Sequence, residues 1–146
     1  MRFWDSSALA SLVIEEEDSD LRESQLRQDP ELLVWYGTPA ELESALSRRK
    51  REGRLTPEGE RNARARLGRL SESWMEVQPT PFVRDRAIRL LRVHPLRAAD
   101  AFQLAAALVA FEEQTRSSVF LTGDTRLRSA AEAEGFTVDP RLTTDH

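Results

Sequence analysis

The feature that most constrains this chain is an unbroken apolar run, Leu32-Leu33-Val34-Trp35-Tyr36, in a sequence that is otherwise rich in charge. A strand with one wet face alternates apolar and polar residues. A run without alternation is expected where helices cover both faces of a parallel sheet. The segments around it fit that frame. Arg2 to Trp4 reads as a strand, followed by a helix capped at Ser6 or Ser7 and running to about Glu17. A second short helix over 20–28 ends near Asp29-Pro30. Thr38-Pro39 has the form of an N-cap with proline at the first helical position, opening a helix to about Arg51. Thr56-Pro57 and Thr80-Pro81 repeat that signal, for helices to about Ser71 and Val93.

Met75 to Val77 is a weak strand between those two helices. The helix expected from Ala98 to Thr115 is apolar almost all round and should be buried. Ser118 to Leu121 then reads as a strand, Asp124 to Glu134 as a helix stopped by Gly135, and Phe136 to Val138 as a last strand. Strands alternating with helices predict a single α/β domain over residues 1–146, with a mostly parallel central sheet flanked by helices. With 146 residues, 40% of them hydrophobic, the chain can build one core but not two. Cysteine is absent, which excludes disulfides, thiolate metal sites and a cysteine nucleophile. The N-terminus lacks a charged-then-apolar leader, and the longest apolar run, Ala98 to Phe111, is too short to span a bilayer. The expectation is a soluble, cytoplasmic protein with no membrane partner.

The formal net charge is −4, yet the charge is unevenly spread. Glu15 to Glu31 holds eight acids against two arginines, whereas Arg48 to Arg69 holds nine basic residues against three acids. Two readings stand open: a pair of solvated helices with opposite bias, or a basic face for phosphates or an acidic partner.

Four acids stand out against this pattern because each lies where an apolar segment meets a polar one: Asp5, Glu41, Asp100 and Asp124. In an open parallel sheet, ligands sit beyond the carboxyl ends of the strands. Asp5 follows the first strand, Glu41 opens the helix after the second, and Asp124 lies three residues past Leu121. Asp100 falls in the first turn of the buried helix, where the helix dipole favours negative charge. Taken singly, each could be a cap. Together on one edge they suggest an oxygen-lined pocket for a hard cation, Mg2+ or Mn2+. Only His94 and His146 are present, so imidazole is an unpromising basis for proton transfer.

The order of these segments resembles the PIN domain family. The carrying residues are Asp5-Ser6-Ser7 after a strand, Ala40-Glu41-Leu42, Ala99-Asp100-Ala101 opening an alanine-rich helix, and Phe120-Leu121-Thr122-Gly123-Asp124-Thr125. Ala130-Ala131 and Gly135-Phe136 are similar to the family's C-terminal end, and the length is similar to that of VapC-type toxins of toxin–antitoxin pairs. The resemblance places Asp5, Glu41, Asp100 and Asp124 on the family's acidic quartet, as catalytic and metal-binding residues. Glu43 competes with Glu41 but points elsewhere on the helix. Thr122 stands where the family has a polar residue, and Ser6 is expected to orient Asp5.

The resemblance implies an endoribonuclease using Mg2+ or Mn2+, an RNA substrate, a small cognate antitoxin and a homodimer. The alternative is a PIN-like module that binds RNA or protein without cutting it. Arg48, Arg49 and Lys50, with Arg61, Arg64 and Arg69, are the candidates for phosphate contact or partner docking, while Trp35, Tyr36 and Trp74 suit either core or surface. Other α/β functions lack their parts. An aspartyl-nucleophile phosphatase would carry an acid where Ser7 stands, a receiver domain needs a late lysine but Lys50 is the chain's only one, and the six glycines form no phosphate loop.

Overall fold

The computed structural model describes residues 1–138, so His146 and the end of the expected domain lie outside the described residues. Strands β1 (Arg2–Trp4), β2 (Leu32–Trp35), β3 (Met75–Val77), β4 (Val119–Leu121) and β5 (Thr137–Val138) form one sheet in the order β3-β2-β1-β4-β5. Every pairing is parallel, so the sheet is wholly rather than mostly so. Seven helices surround it among the described residues: α1 (Ser6–Val13), α2 (Ser19–Gln28), α3 (Thr38–Arg51), α4 (Pro57–Ser71), α5 (Pro81–Val93), α6 (Ala98–Ala110) and α7 (Thr125–Ala133).

The apolar run explains the layering. Leu33 and Trp35 enter one core with Phe3, Val83, Leu90, Leu104 and Phe120. Leu32 and Val34 enter a second core on the other face with Trp4, Leu9 and Leu42. The period of two thus feeds both faces, as a doubly covered strand requires. Tyr36, 52% exposed, lies past the strand end. Helix α6 is buried as expected, and its run of fully buried alanines lets α5 and the sheet approach closely.

Most boundaries fall within a residue of the sequence reading, and three differences have a clear physical cause. Helix α1 stops at Val13 rather than near Glu17, and Ile14 turns to an extended conformation and packs with Leu46 and Ala63. Continuing the helix would set Glu15, Glu16 and Glu17 at the negative end of its dipole. Helix α6 stops at Ala110 rather than Thr115, and Glu112 and Glu113 take left-handed φ values of 52° and 63° that end it. Thr56 and Thr80 cap their helices through their hydroxyls, but Thr38 does not. Gly37 is the N-cap of α3, and the buried Thr38 hydroxyl instead accepts a hydrogen bond from Gln103.

The strand order matters for the site. The chain builds β1, β2 and β3 outward in one direction, then returns to lay β4 on the other side of β1. The crevice at such a reversal, beyond the carboxyl ends of β1 and β4, is where open α/β sheets bind ligands.

Candidate functional site

Asp5 stands at that crevice, directly after β1, and is 3% exposed. It caps α1 through the Ser7 amide, and its Oδ2 also accepts the Ser7 hydroxyl and, at 2.7 Å, the Thr122 hydroxyl. Burial pushes its carboxyl up from 3.8 to about 6; the bonds from Ser7 and Thr122 oppose the rise, and the charge of Glu41 adds to it. The same two hydroxyls tie β1 to the loop after β4. Ser7 Oγ accepts the Gly123 N–H at 2.8 Å, and Thr122 Oγ1 accepts the Asp124 N–H at 3.0 Å. The buried Arg22 steadies this loop from behind by donating to the Thr122 carbonyl at 3.1 Å.

Glu41 lies in the first turn of α3 and receives the Ser6 hydroxyl on Oε1 at 2.7 Å. Gln103 Nε2 reaches both Glu41 oxygens at 3.3 Å. Ser6 therefore orients Glu41, not Asp5; Ser7 is the serine that holds Asp5. The reason is the turn of α1, which sends neighbouring side chains to different sides. Burial also raises the Glu41 carboxyl, against the bonds from Ser6 and Gln103 and with help from the charge of Asp100. Glu43 faces outward, paired with Arg64 at 2.6 Å and held down to about 2 chiefly by its hydrogen bonds from Arg64 and Ser47.

Asp100, in the first turn of α6, is raised by burial and by Asp124, with Arg97 and Arg126 opposing. Asp124 caps α7, its Oδ1 accepting the Leu127 N–H at 2.9 Å. Asp5, Glu41, Asp100 and Asp124 thus form a row in which each carboxyl feels the next. Glu41, Asp100 and Asp124 line an open cleft of about 750 Å³, with Ser6 and Ser7 at its floor above the buried Asp5.

The donors suit a hard divalent cation by type: every candidate group is a carboxylate or hydroxyl oxygen, and Arg97 and Arg126 only partly offset the rise at Asp100. Among the described residues no three of these acids converge closely enough to hold an ion in their present arrangement. His94 takes no part in the cleft and instead contacts Glu134 at 2.7 Å.

The charge asymmetry resolves in a way that neither open reading anticipated. Acidic and basic stretches pair with each other, Arg49 with Glu16 and Arg66 with Glu23, and Arg64 and Lys50 are occupied by Glu60. Of the arginine-rich segment, Arg48 and Arg49 reach the cleft, whereas Arg61, Arg64 and Arg69 do not line it. Sequence reasoning missed Arg97, Arg126, Ser7 and Gln103. The arginines each lie three residues from an acid or two residues past one, a neighbourhood that carries a signal only once the helix starts are known to converge. Trp35 belongs to the core, stacked on Phe102 at 5.5 Å, and Trp74 packs at the edge of the second core with its N–H on Glu76.

No curated protein shows a significant sequence match to the chain. The fold is similar to the crystal structure of PAE2754 from Pyrobaculum aerophilum, with a TM-score of 0.68 and 20% identity over 94% of this chain and 90% of that one. It is also similar to FitAcB from Neisseria gonorrhoeae, with a TM-score of 0.63 and 16% identity over 94% and 96% of the two chains. The PIN domain profile matches residues 2–133, nearly all of the described structure. The chain belongs to the PIN domain family, whose members are commonly metal-dependent nucleases.

Proposed function

We propose that the protein is a metal-dependent endoribonuclease that acts as the toxin of a toxin–antitoxin pair. The observation that carries this reading is the row of four carboxylates on one crevice, three of them with their proton affinity raised by burial and by one another's charge. Such a row is costly in itself and is relieved by a cation. Asp5, Glu41, Asp100 and Asp124 would hold Mg2+ or Mn2+, which when bound supplies a more acidic water and neutralises charge on the phosphate. The chain's own residues do the positioning. Ser7 and Thr122 fix Oδ2 of Asp5, and Ser6 with Gln103 aims the Glu41 carboxylate, which orients the attacking water. The open cleft admits single-stranded or loop RNA, whose phosphates are exposed. The toxin role, a small cognate antitoxin and a homodimer follow from the resemblance to VapC-type proteins, and a cytoplasmic setting fits a chain without cysteine. Among the described residues, no helix is long and apolar enough to cross a membrane.

The rival reading, a PIN-like module that binds RNA or protein without cutting, draws on the present spread of the four carboxylates. One experiment separates the two. The full chain is incubated with a mixed RNA pool in Mg2+ or Mn2+, with and without EDTA, beside Asp5→Asn. Cleavage that needs metal and Asp5 supports the nuclease; its absence under both metals favours the binder. Relief of toxicity by a short neighbouring reading frame tests the toxin role.

A further inference from the structure

We propose that the cleft grips an internal stretch of single-stranded RNA backbone between two cationic poles, Arg48 at one end and Arg97 with Arg126 at the other. The inference rests on the nuclease reading and adds to it how the substrate lies. All three arginines line the cleft and are exposed. None makes a side-chain ion pair among the described residues, in contrast to Arg49, Arg64 and Arg66, whose charges are taken up by Glu16, Glu43 and Glu23. Unpaired arginines beside a row of carboxylates are available for another anion, and guanidinium matches phosphate geometry well.

Their placement gives the polarity. Arg48 lies seven residues after Glu41 on α3, which puts it on the same helical face about 10 Å further along. Arg97 caps α6 and Arg126 lies in the first turn of α7, and both act on Asp100. Arg48 is thus set apart from Glu41 toward the end of α3, whereas Arg97 and Arg126 stand within three residues of Asp100 and Asp124 at the starts of α6 and α7, and all of them line the one cleft. A backbone held at both poles lays an internal phosphate over the acids. A terminal phosphate could engage one pole only. In a chain of net charge −4, these poles also offset the repulsion between the acids and the incoming polyanion.

The test is binding of a short fluorescein-labelled single-stranded RNA to the full chain in EDTA at low salt, read by anisotropy across a salt series. For Arg48→Gln we expect a several-fold loss of affinity and a log–log salt slope shallower by about 0.7 per lost phosphate contact. Arg97→Gln with Arg126→Gln should lose about twice that slope, and combining both poles should add the losses. Arg61→Gln with Arg69→Gln, exposed but off the cleft, should bind as wild type. The proposal is overturned if wild type does not bind, if removing either pole leaves affinity and slope unchanged, or if the loss falls on the Arg61 and Arg69 pair instead. Circular dichroism of each variant checks the fold. Pole-dependent binding without metal-dependent cleavage would sink the nuclease reading and leave the grip standing; cleavage with unaltered binding in the variants would do the reverse.

Discussion

Two regions of this molecule treat carboxylates in opposite ways. At the corner between α5 and α7, Glu134 collects Arg86 at 3.0 Å and His94 at 2.7 Å. Burial pushes that carboxyl up, but the His94 bond and the Arg86 charge outweigh it, and the net shift is downward. At the crevice beyond β1 and β4, burial pushes Asp5, Glu41 and Asp100 up; hydroxyls and an amide contact the first two, Arg97 and Arg126 only partly counter the rise at Asp100, and each acid feels the next. The first arrangement is complete as it stands and serves the fold. The second is held at a cost, which marks it as a place where something positive is meant to arrive.

The strongest way to break this contrast is Asp5→Asn. If the crevice works as proposed, cleavage should fall by more than about 100-fold, since even residues that only support metal ligands cost 10–100-fold. The same substitution should stabilise the metal-free protein, because it removes a buried charge while its one amide oxygen can still accept from Ser7 and Thr122. A lower melting temperature for Asp5→Asn in EDTA would contradict that account.

Next in size is the pH and metal response. A carboxyl whose folded pKa lies above its unfolded value binds protons on folding, so its ionisation weakens the native state. For Asp5 the penalty grows from about pH 4, levels off above about pH 6, and amounts to roughly 3 kcal/mol. The metal-free protein should therefore lose stability as pH rises through that window, and Mg2+ at 100 times its dissociation constant should restore about 2.7 kcal/mol. Thermal melts at pH 4, 6 and 7.5, with and without Mg2+, measure both; a flat profile would remove the distinction between the two regions.

Smaller effects sharpen it. Ser6→Ala frees one side of Glu41 and should cut cleavage about 10–100-fold with little change in melting temperature. Glu134→Gln should do the converse, costing about 1–2 kcal/mol in a denaturant titration while leaving cleavage intact. Glu43→Gln, whose exposed pair with Arg64 faces solvent, should match wild type in both assays.

Much of this organisation can be read along the chain, because it is written in short segments. The unbroken Leu32–Tyr36 run implies a sheet covered on both faces, and the acids at strand ends and helix starts fall on one edge whatever the details of packing. What escapes is anything that depends on which side chains meet across long separations. Nothing near Thr38 announces that Gln103 will claim its hydroxyl, and adjacent Ser6 and Ser7 can be told apart only once α3 and the loop after β4 are in place. The arginine-rich stretch leaves its two readings open in the sequence because its partners Glu16 and Glu23 lie far away along the chain. Helix ends failed for a related reason: burial of Ile14 won over continued helix formation.

The link from Asp5 to Thr122 spans 117 positions, and β1 has β4 as one of its two strand partners. During synthesis the first of the four acids emerges well before the hydroxyl and strand that fix it. Until that late segment leaves the ribosome, the nascent chain carries the acids without their arrangement. A protein proposed to attack RNA is thereby built so that its reactive centre cannot assemble until the segment carrying β4 and Thr122 has been translated.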